Sequence, residues 1–257
     1  AHGMPQGVDQ GVTGHVLVVA HRGLPAEEPE NTMRSFRRAA EVGCDLIEFD
    51  VHQTRDGVPV VIHDDSLDRT TDEHGLVGER THAELRGLDA GRGERIPSLE
   101  DVVGWAARSG ARLSVEIKQP TPATGLPRYD GLAERGVAVL RAAGMDGRCL
   151  IHSFDHPTAK RVREVWPEAV TAVSYGGGTF IDALVLGRAA DASGIHPWWA
   201  WVSPEVCAAA HAAGMHVHAW GTSWPPRHQE IALLVRAGVD SLDANDPRTL
   251  REMLEAV

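Results

Sequence analysis

Short β-branched runs alternate with alanine-rich stretches along almost the whole chain, and most of the alanine-rich stretches close on glycine. The runs fall at 16–20, 45–51, 112–118, 149–153, 170–174, 194–196, 216–220 and 239–243. The closing sequences between them read E-V-G-C-D, R-S-G-A-R, A-A-G-M-D, A-A-G-M-H and R-A-G-V-D. Glycine just past a helix end, followed at once by a strand, is the chemistry of an αβ loop. Eight such units in 257 residues predict an α/β chain folded as a (β/α)8 TIM barrel, with a doubly wound parallel sheet as the alternative. No low-complexity linker divides the chain, so residues 1–257 are expected to form a single domain.

Composition removes several classes of partner. A net charge of −11 argues against nucleic acid, because phosphate backbones attract basic surfaces, but leaves room for a small anion at a local positive site. Cys44, Cys149 and Cys207 are few, odd in number and without metal-type spacing, which points to a reducing compartment. No apolar run approaches the roughly 20 residues that span a bilayer. The start, A-H-G-M-P-Q-G, has no basic region followed by an apolar one, so no signal peptide and a cytoplasmic location are expected.

In a barrel of this kind the active site gathers where strands end and βα loops begin, so polar residues should collect there. They do: His21-Arg22 end the first run, Glu48 and Asp50 lie in the second, and Glu116 and Lys118 end the third. His152-Ser153-Phe154 end the fourth, His196 ends the sixth, and His218 and Trp220 lie in the seventh. One such histidine could be a satisfied core residue. Acids and bases at the ends of three successive strands are harder to explain by packing, since uncompensated buried charge is costly. After the second run, Asp56-Gly57 sits between alternating residues and predicts a hairpin. A two-residue turn there would set Asp50 opposite His63 and Glu48 opposite Asp65, on one face.

The ordered set A-H-R-G (20–23), P-E-N-T (29–32), S-F (35–36), G-C-D-L-I-E-F-D-V (43–51), T-R-D-G (54–57), V-V-I-H-D (60–64), L-D-R-T-T (67–71), I-P-S-L-E-D (96–101) and E-I-K (116–118) resembles the glycerophosphodiester phosphodiesterase family. Ser153-Phe154 and Trp220 continue the likeness in the C-terminal half. The resemblance implies a barrel with a small insertion after strand two, at about 64–96. It implies metal-dependent hydrolysis of glycerophosphodiesters to glycerol phosphate and an alcohol. Glu48, Asp50 and Glu116 would be ligands of a divalent cation, Ca2+ or Mg2+, which suits hard oxygen donors. His21 and His63 would be the acid and base, and Arg22 and Lys118 would bind the phosphate oxygens. The three carboxylates are expected to converge without a balancing protein cation.

The chain departs from the family pattern after strand seven, where Trp220-Gly221-Thr222-Ser223 stands in place of Trp-Thr-Val-Asn. It departs again after strand eight, with Ala244-Asn245-Asp246-Pro247 in place of Thr-Asp-x-Pro. Five of the seven tryptophans (Trp198, Trp199, Trp201, Trp220 and Trp224) crowd the loops after strands six and seven. They could pack on one another or wall the alcohol side of a substrate, with Phe154 and Trp220 as candidate substrate contacts. A small water-soluble phosphodiester is the expected substrate. The alternatives are a lysophospholipase D-type activity on lysophospholipids and a non-catalytic barrel that binds phosphorylated ligands.

Overall fold

In a computed structural model of the chain, residues 15–257 are described apart from 177, 179, 223 and 224. The opening segment read for a signal peptide, along with Ser223 and Trp224 of the aromatic loops, therefore lies outside the described residues. Eight parallel strands run in the order expected from the alternation: β1 (Leu17–Ala20), β2 (Leu46–Gln53), β4 (Leu113–Ile117), β5 (Cys149–Ser153), β6 (Val170–Tyr175), β7 (Gly194–Pro197), β8 (His216–Ala219) and β9 (Ser241–Ala244). A ninth, β3 (Pro59–Val61), pairs antiparallel with β2. β1 bonds to β9 on one side and to β2 on the other. That closing pair turns the sheet into a (β/α)8 barrel and excludes the doubly wound alternative, whose edges stay open.

The helices start and stop where side chains satisfy their orphan backbone groups. Thr32 caps α1 (Met33–Val42), a Ser98–Asp101 capping box opens α2 (Leu99–Ser109), and Asp155 caps α3 (His156–Val165). Gly43 and Gly110 end α1 and α2 at φ of 83° and 82°, a conformation that costs a side-chain-bearing residue. Between the hairpin and α2, residues 62–98 carry a small core of their own, in which Ile62, Leu67, Val77, Leu85 and Ile96 are buried. Among the described residues, no helix is long and apolar enough to cross a membrane.

Strand alternation divides the residues between two environments. Ala20, Ile47, Phe49, Val115 and Ile151 face the helices in one apolar cluster, and Val18, Val173, Ile195, Val217 and Leu242 in another. Inside the barrel, Leu17, Val19 and Leu46 form only a small apolar cluster. The other inward positions are largely polar: Glu48, Asp50 and Glu116 from β2 and β4, and His152, His196, His216 and His218 from β5, β7 and β8, all buried. Barrel interiors are usually filled with branched aliphatic residues, so here polar side chains have replaced much of that packing. His196 packs its ring on those of His152 and His218 and meets His216 with Nε2 to Nε2 at 3.1 Å. Gly194 makes this possible, because a Cβ there would lie 2.1 Å from the His216 ring.

These histidines are kept neutral by burial. Desolvation holds His196 well below its ordinary range, with neighbouring histidines adding to the effect, and takes His216 to about 4 and His218 to about 3. In the unfolded chain each would protonate near pH 6.5. Their contribution to stability is therefore complete above that pH and is lost as pH falls toward the folded values. The limiting slope is roughly 1.4 kcal/mol per pH unit for each histidine. The raised carboxyl groups of Glu48 and Asp243, both shifted chiefly by burial, act in the opposite sense. The histidine share is isolated by comparing urea unfolding of the wild type and His218→Gln between pH 7.5 and 5. The variant should lose less stability over that range, and equal losses would show that His218 is not held neutral.

Candidate active site

The first βα loop is built around a strained residue. Arg22 adopts a φ of 54°, a left-handed conformation that non-glycine residues seldom take. Its N–H donates to Glu48 Oε2 at 2.9 Å, and its carbonyl accepts from Ser35 Oγ and from the Asn31 N–H, each at 3.1 Å. Gly23 follows at φ 89° and packs so closely on Ser35 that a Cβ would fall 2.3 Å from its hydroxyl. Ser35 also accepts from the Leu24 N–H, while Phe36 stacks against Phe49 with centroids 5.6 Å apart. The quoted A-H-R-G and S-F pieces are thus two halves of one clamp.

The P-E-N-T piece has an equally local reason. Asn31 Nδ2 donates to Asp50 Oδ2 at 2.8 Å, and Thr32 caps α1. Glu30 pairs with Arg22 at 3.0 Å and with Arg69 at 2.8 Å. Arg69 continues to Asp64 at 2.6 Å, and Asp64 accepts from His63 Nδ1 at 2.6 Å. A continuous chain, Arg22–Glu30–Arg69–Asp64–His63, therefore ties the loop after β1 to the segment after β3. Glu30, Asn31, Asp64 and Arg69 were visible only as parts of motifs, because their partners lie far along the sequence.

The hairpin that delivers His63 differs from the expected one. Val51 pairs with Val61 and Gln53 with Pro59, so the turn takes three residues, Arg55-Asp56-Gly57, and the register moves by one. The Thr54 N–H donates to the Val58 carbonyl, Thr54 Oγ1 donates to Asp56 Oδ1, and Gly57 takes φ 84°. Asp50 consequently stands opposite Ile62, whose N–H it accepts at 3.1 Å, and not opposite His63. His63 reaches the site because the ladder ends at Val61. Buried His52 then donates from Nε2 to the His63 carbonyl at 3.0 Å and accepts from the Tyr129 hydroxyl at Nδ1.

The carboxylate cluster also differs from expectation in one respect: it is balanced by protein cations. Asp50 and Glu116 are register neighbours on β2 and β4, and Lys118, two residues beyond Glu116, reaches both. Its Nζ lies 3.0 Å from Asp50 Oδ1 and pairs with Glu116, while Arg22 Nε lies 3.4 Å from Asp50 Oδ2. Burial pushes Asp50 up, but Lys118, His63 and Arg22 outweigh it and hold the group well below the usual carboxylate range. Glu48 is driven well above that range by burial and by the neighbouring acids. Glu116 is raised by burial against the opposing pull of Lys118. One acid is thus firmly ionised, while two would gain from a further positive charge.

Both candidate histidines have Nδ1 engaged. His21 donates from Nδ1 to Asn245 Oδ1 at 2.8 Å, which leaves Nε2 as the nitrogen free to exchange a proton. His63 does the same toward Asp64, and burial lowers its pKa below the ordinary histidine value. A cavity of about 370 Å³ is lined by His21, Arg22, Glu48, His63, Glu116 and Lys118, with Phe154 and Trp220 on its wall. Asp50 is buried just behind them. Phe154 meets Trp220 edge to face at 5.1 Å, and Trp220 donates from Nε1 to the Tyr175 carbonyl. Trp199 packs on the helix-side core, and Trp198 and Trp201 are exposed. Of the loop tryptophans among the described residues, Trp220 alone lines the cavity.

Residues that could hold a metal are present. Ligand atoms of Glu48, Glu116 and His152 lie within 4.8 Å of one another, and all three side chains are buried. His152 closed a strand in the sequence reading but was not singled out as a ligand. Nor was Asp243, a buried acid on the cavity wall whose carboxylate accepts from the Gly221 N–H.

Comparison with known proteins agrees with this fold. The model of the glycerophosphoryl diester phosphodiesterase family matches residues 21–249. A glycerophosphodiester phosphodiesterase of Caldanaerobacter subterraneus subsp. tengcongensis is 33% identical over 241 residues, covering 91% of this chain and 96% of that protein. A crystal structure from Silicibacter pomeroyi, assigned to the same activity, superposes with a TM-score of 0.85 at 26% identity over 96% of both chains. A phosphodiesterase of Oleispira antarctica, solved with the product sn-glycerol-3-phosphate, gives 0.78 at 26% identity over 96% of this chain and all of that one. The family match over residues 21–249 and the 33% identity across 91% of the chain show that this chain belongs to the glycerophosphodiester phosphodiesterases.

Proposed function

We propose that this chain hydrolyses a small glycerophosphodiester, with a divalent cation at the Glu48–Asp50–Glu116 cluster and with His21 and His63 as acid and base. The observation that carries the reading is the convergence of both histidines, two cations and the acids on one cavity of about 370 Å³. The donor set fits a cation: three buried carboxylates supply hard oxygens, and two of them are held above their usual range chiefly by burial. Such a cation would bind phosphate oxygens and neutralise charge that grows as the diester is attacked.

The remaining chemistry belongs to side chains. Arg22, bound to Glu30 and Asp50, presents a guanidinium of fixed orientation to the phosphate, and Lys118 adds a second positive charge. His63 Nε2 takes the proton of the attacking oxygen, which comes from water or from the neighbouring glycerol hydroxyl. Asp64 stabilises the imidazolium so formed, which favours His63 as the base. His21, whose Nδ1 partner is the neutral Asn245, gives a proton from Nε2 to the departing alcohol. The P–O bond to the alcohol breaks; attack by water leaves glycerol phosphate directly, whereas attack by the glycerol hydroxyl leaves a cyclic phosphate that a water molecule then opens to glycerol phosphate.

The cavity size favours a soluble glycerophosphodiester. The exposed ring of Phe154 on its wall, with Trp198 and Trp201 exposed in the loop after β7, is the observation that favours a lysophospholipid instead. Three unpaired thiols accord with a reducing, cytoplasmic setting.

His21→Ala and His63→Ala should each lower kcat on glycerophosphocholine by about 10²–10⁴-fold while the melting curve stays cooperative. Near-normal turnover in either variant would remove that histidine from the mechanism. Chelation should abolish activity and lower the melting temperature. Restoring a divalent cation to 100 times its Kd should recover roughly 2.7 kcal/mol of stability. A chelated sample as active and as stable as the untreated one would contradict the metal reading. Given equal concentrations of glycerophosphocholine and lysophosphatidylcholine, the enzyme should prefer the first, and a preference for the second would assign the exposed rings to an acyl chain.

A further inference from the structure

We infer that His152 is a nitrogen ligand of the cation centre, and that the centre therefore favours a first-row transition ion such as Mn2+, Co2+ or Zn2+ over Ca2+ or Mg2+. The inference rests on the reading of the acid cluster as a cation site and extends it to a residue outside the acid set.

The geometry is specific. His152 is the register partner of Glu116 on the adjacent strand, so both side chains enter the barrel at one level. Ligand atoms of His152, Glu116 and Glu48 come within 4.8 Å of one another. His152 Nδ1 lies 3.0 Å from Ser174 Oγ. Nε2 is fully buried and has no hydrogen-bond partner. A buried polar nitrogen without a partner is costly and calls for an explanation. With Nδ1–H given to Ser174, Nε2 keeps its lone pair, and the ring is oriented as metal-bound histidines usually are, by a hydrogen bond from the second nitrogen. Glu48 has one oxygen engaged by the Arg22 N–H and the other left for a cation. Asp50, by contrast, is already shared among Lys118, Arg22 and Asn31. Imidazole beside carboxylates suits transition ions, whereas an all-oxygen set suits calcium and magnesium.

The test uses the metal-stripped full chain and reads binding. Titration calorimetry with Co2+ and with Ca2+ should show the wild type favouring Co2+. His152→Gln should weaken Co2+ binding at least about tenfold while changing Ca2+ binding much less. Electron spin-echo spectroscopy of the wild-type Mn2+ complex should show coupling to a ligand nitrogen, which needs no variant and so is independent of whether His152→Gln folds. Absent nitrogen coupling, or Co2+ affinity unchanged in a folded His152→Gln, would overturn the assignment. Glu116→Gln separates the two levels. Binding that depends on Glu116 but not on His152 leaves the acid-cluster reading intact and refutes this one, whereas no divalent binding by the wild type refutes both.

Discussion

Asp50 is the residue on which the rest of the site depends. It is almost wholly buried inside the barrel, and it is tolerated there because Lys118, Arg22 and Asn31 meet its two oxygens together. Removing one partner of a buried ion pair typically costs about 3–5 kcal/mol, because the other charge is left uncompensated. Each partner of Asp50 has a second task. Lys118 also holds Glu116, Arg22 also holds Glu30, and Asn31 ties its own N–H to the strained Arg22 carbonyl. The loop after β1 and the end of β4 are thereby brought to one carboxylate on β2.

That arrangement explains why the barrel interior is polar. An interior of branched aliphatic side chains would pack well but could not carry ionised groups in pairs. Here the acids are matched with Lys118 and Arg22, and the histidines beyond them are kept neutral by burial. The strain at Arg22 belongs to the same design. Its φ of 54° turns the guanidinium back toward the acids, and the clamp from Glu48, Ser35 and Asn31 holds it there. The ring of pairs from Arg22 through Glu30, Arg69 and Asp64 to His63 is partly exposed. Its value is positional, since exposed pairs add little stability.

Much of this was legible in the sequence, for identifiable reasons. The alternation of β-branched runs with glycine-closed helices reports a purely local chemistry, so strands β4 through β9 fall within a residue or two of the predicted runs. The polar residues at strand ends were visible because strand polarity dictates where they lie. The register of the hairpin was not, because it turns on whether Thr54 closes a three-residue turn through Asp56, a preference that the Asp-Gly pair alone does not reveal. Lys118 as the counter-charge of Asp50 and Glu116, and His152 as their neighbour, depend on contacts across strands whose order is known but whose depth in the barrel is not. The tryptophan crowding left two roles open, and the described tryptophans divide between them. Crowding in sequence put five of them near one another, yet Trp199 serves the outer core and Trp220 the cavity.

The central claim is a division of labour, with His63 as base and His21 as acid. A glycerophosphodiester whose alcohol is p-nitrophenol tests it most directly, since that leaving group departs without a proton. On this substrate His21→Ala should recover most of the rate it loses on an alkyl ester, a gain of at least about 10²-fold relative to wild type. His63→Ala should remain as impaired as before. Rescue of His63→Ala, or no rescue of either variant, would contradict the account.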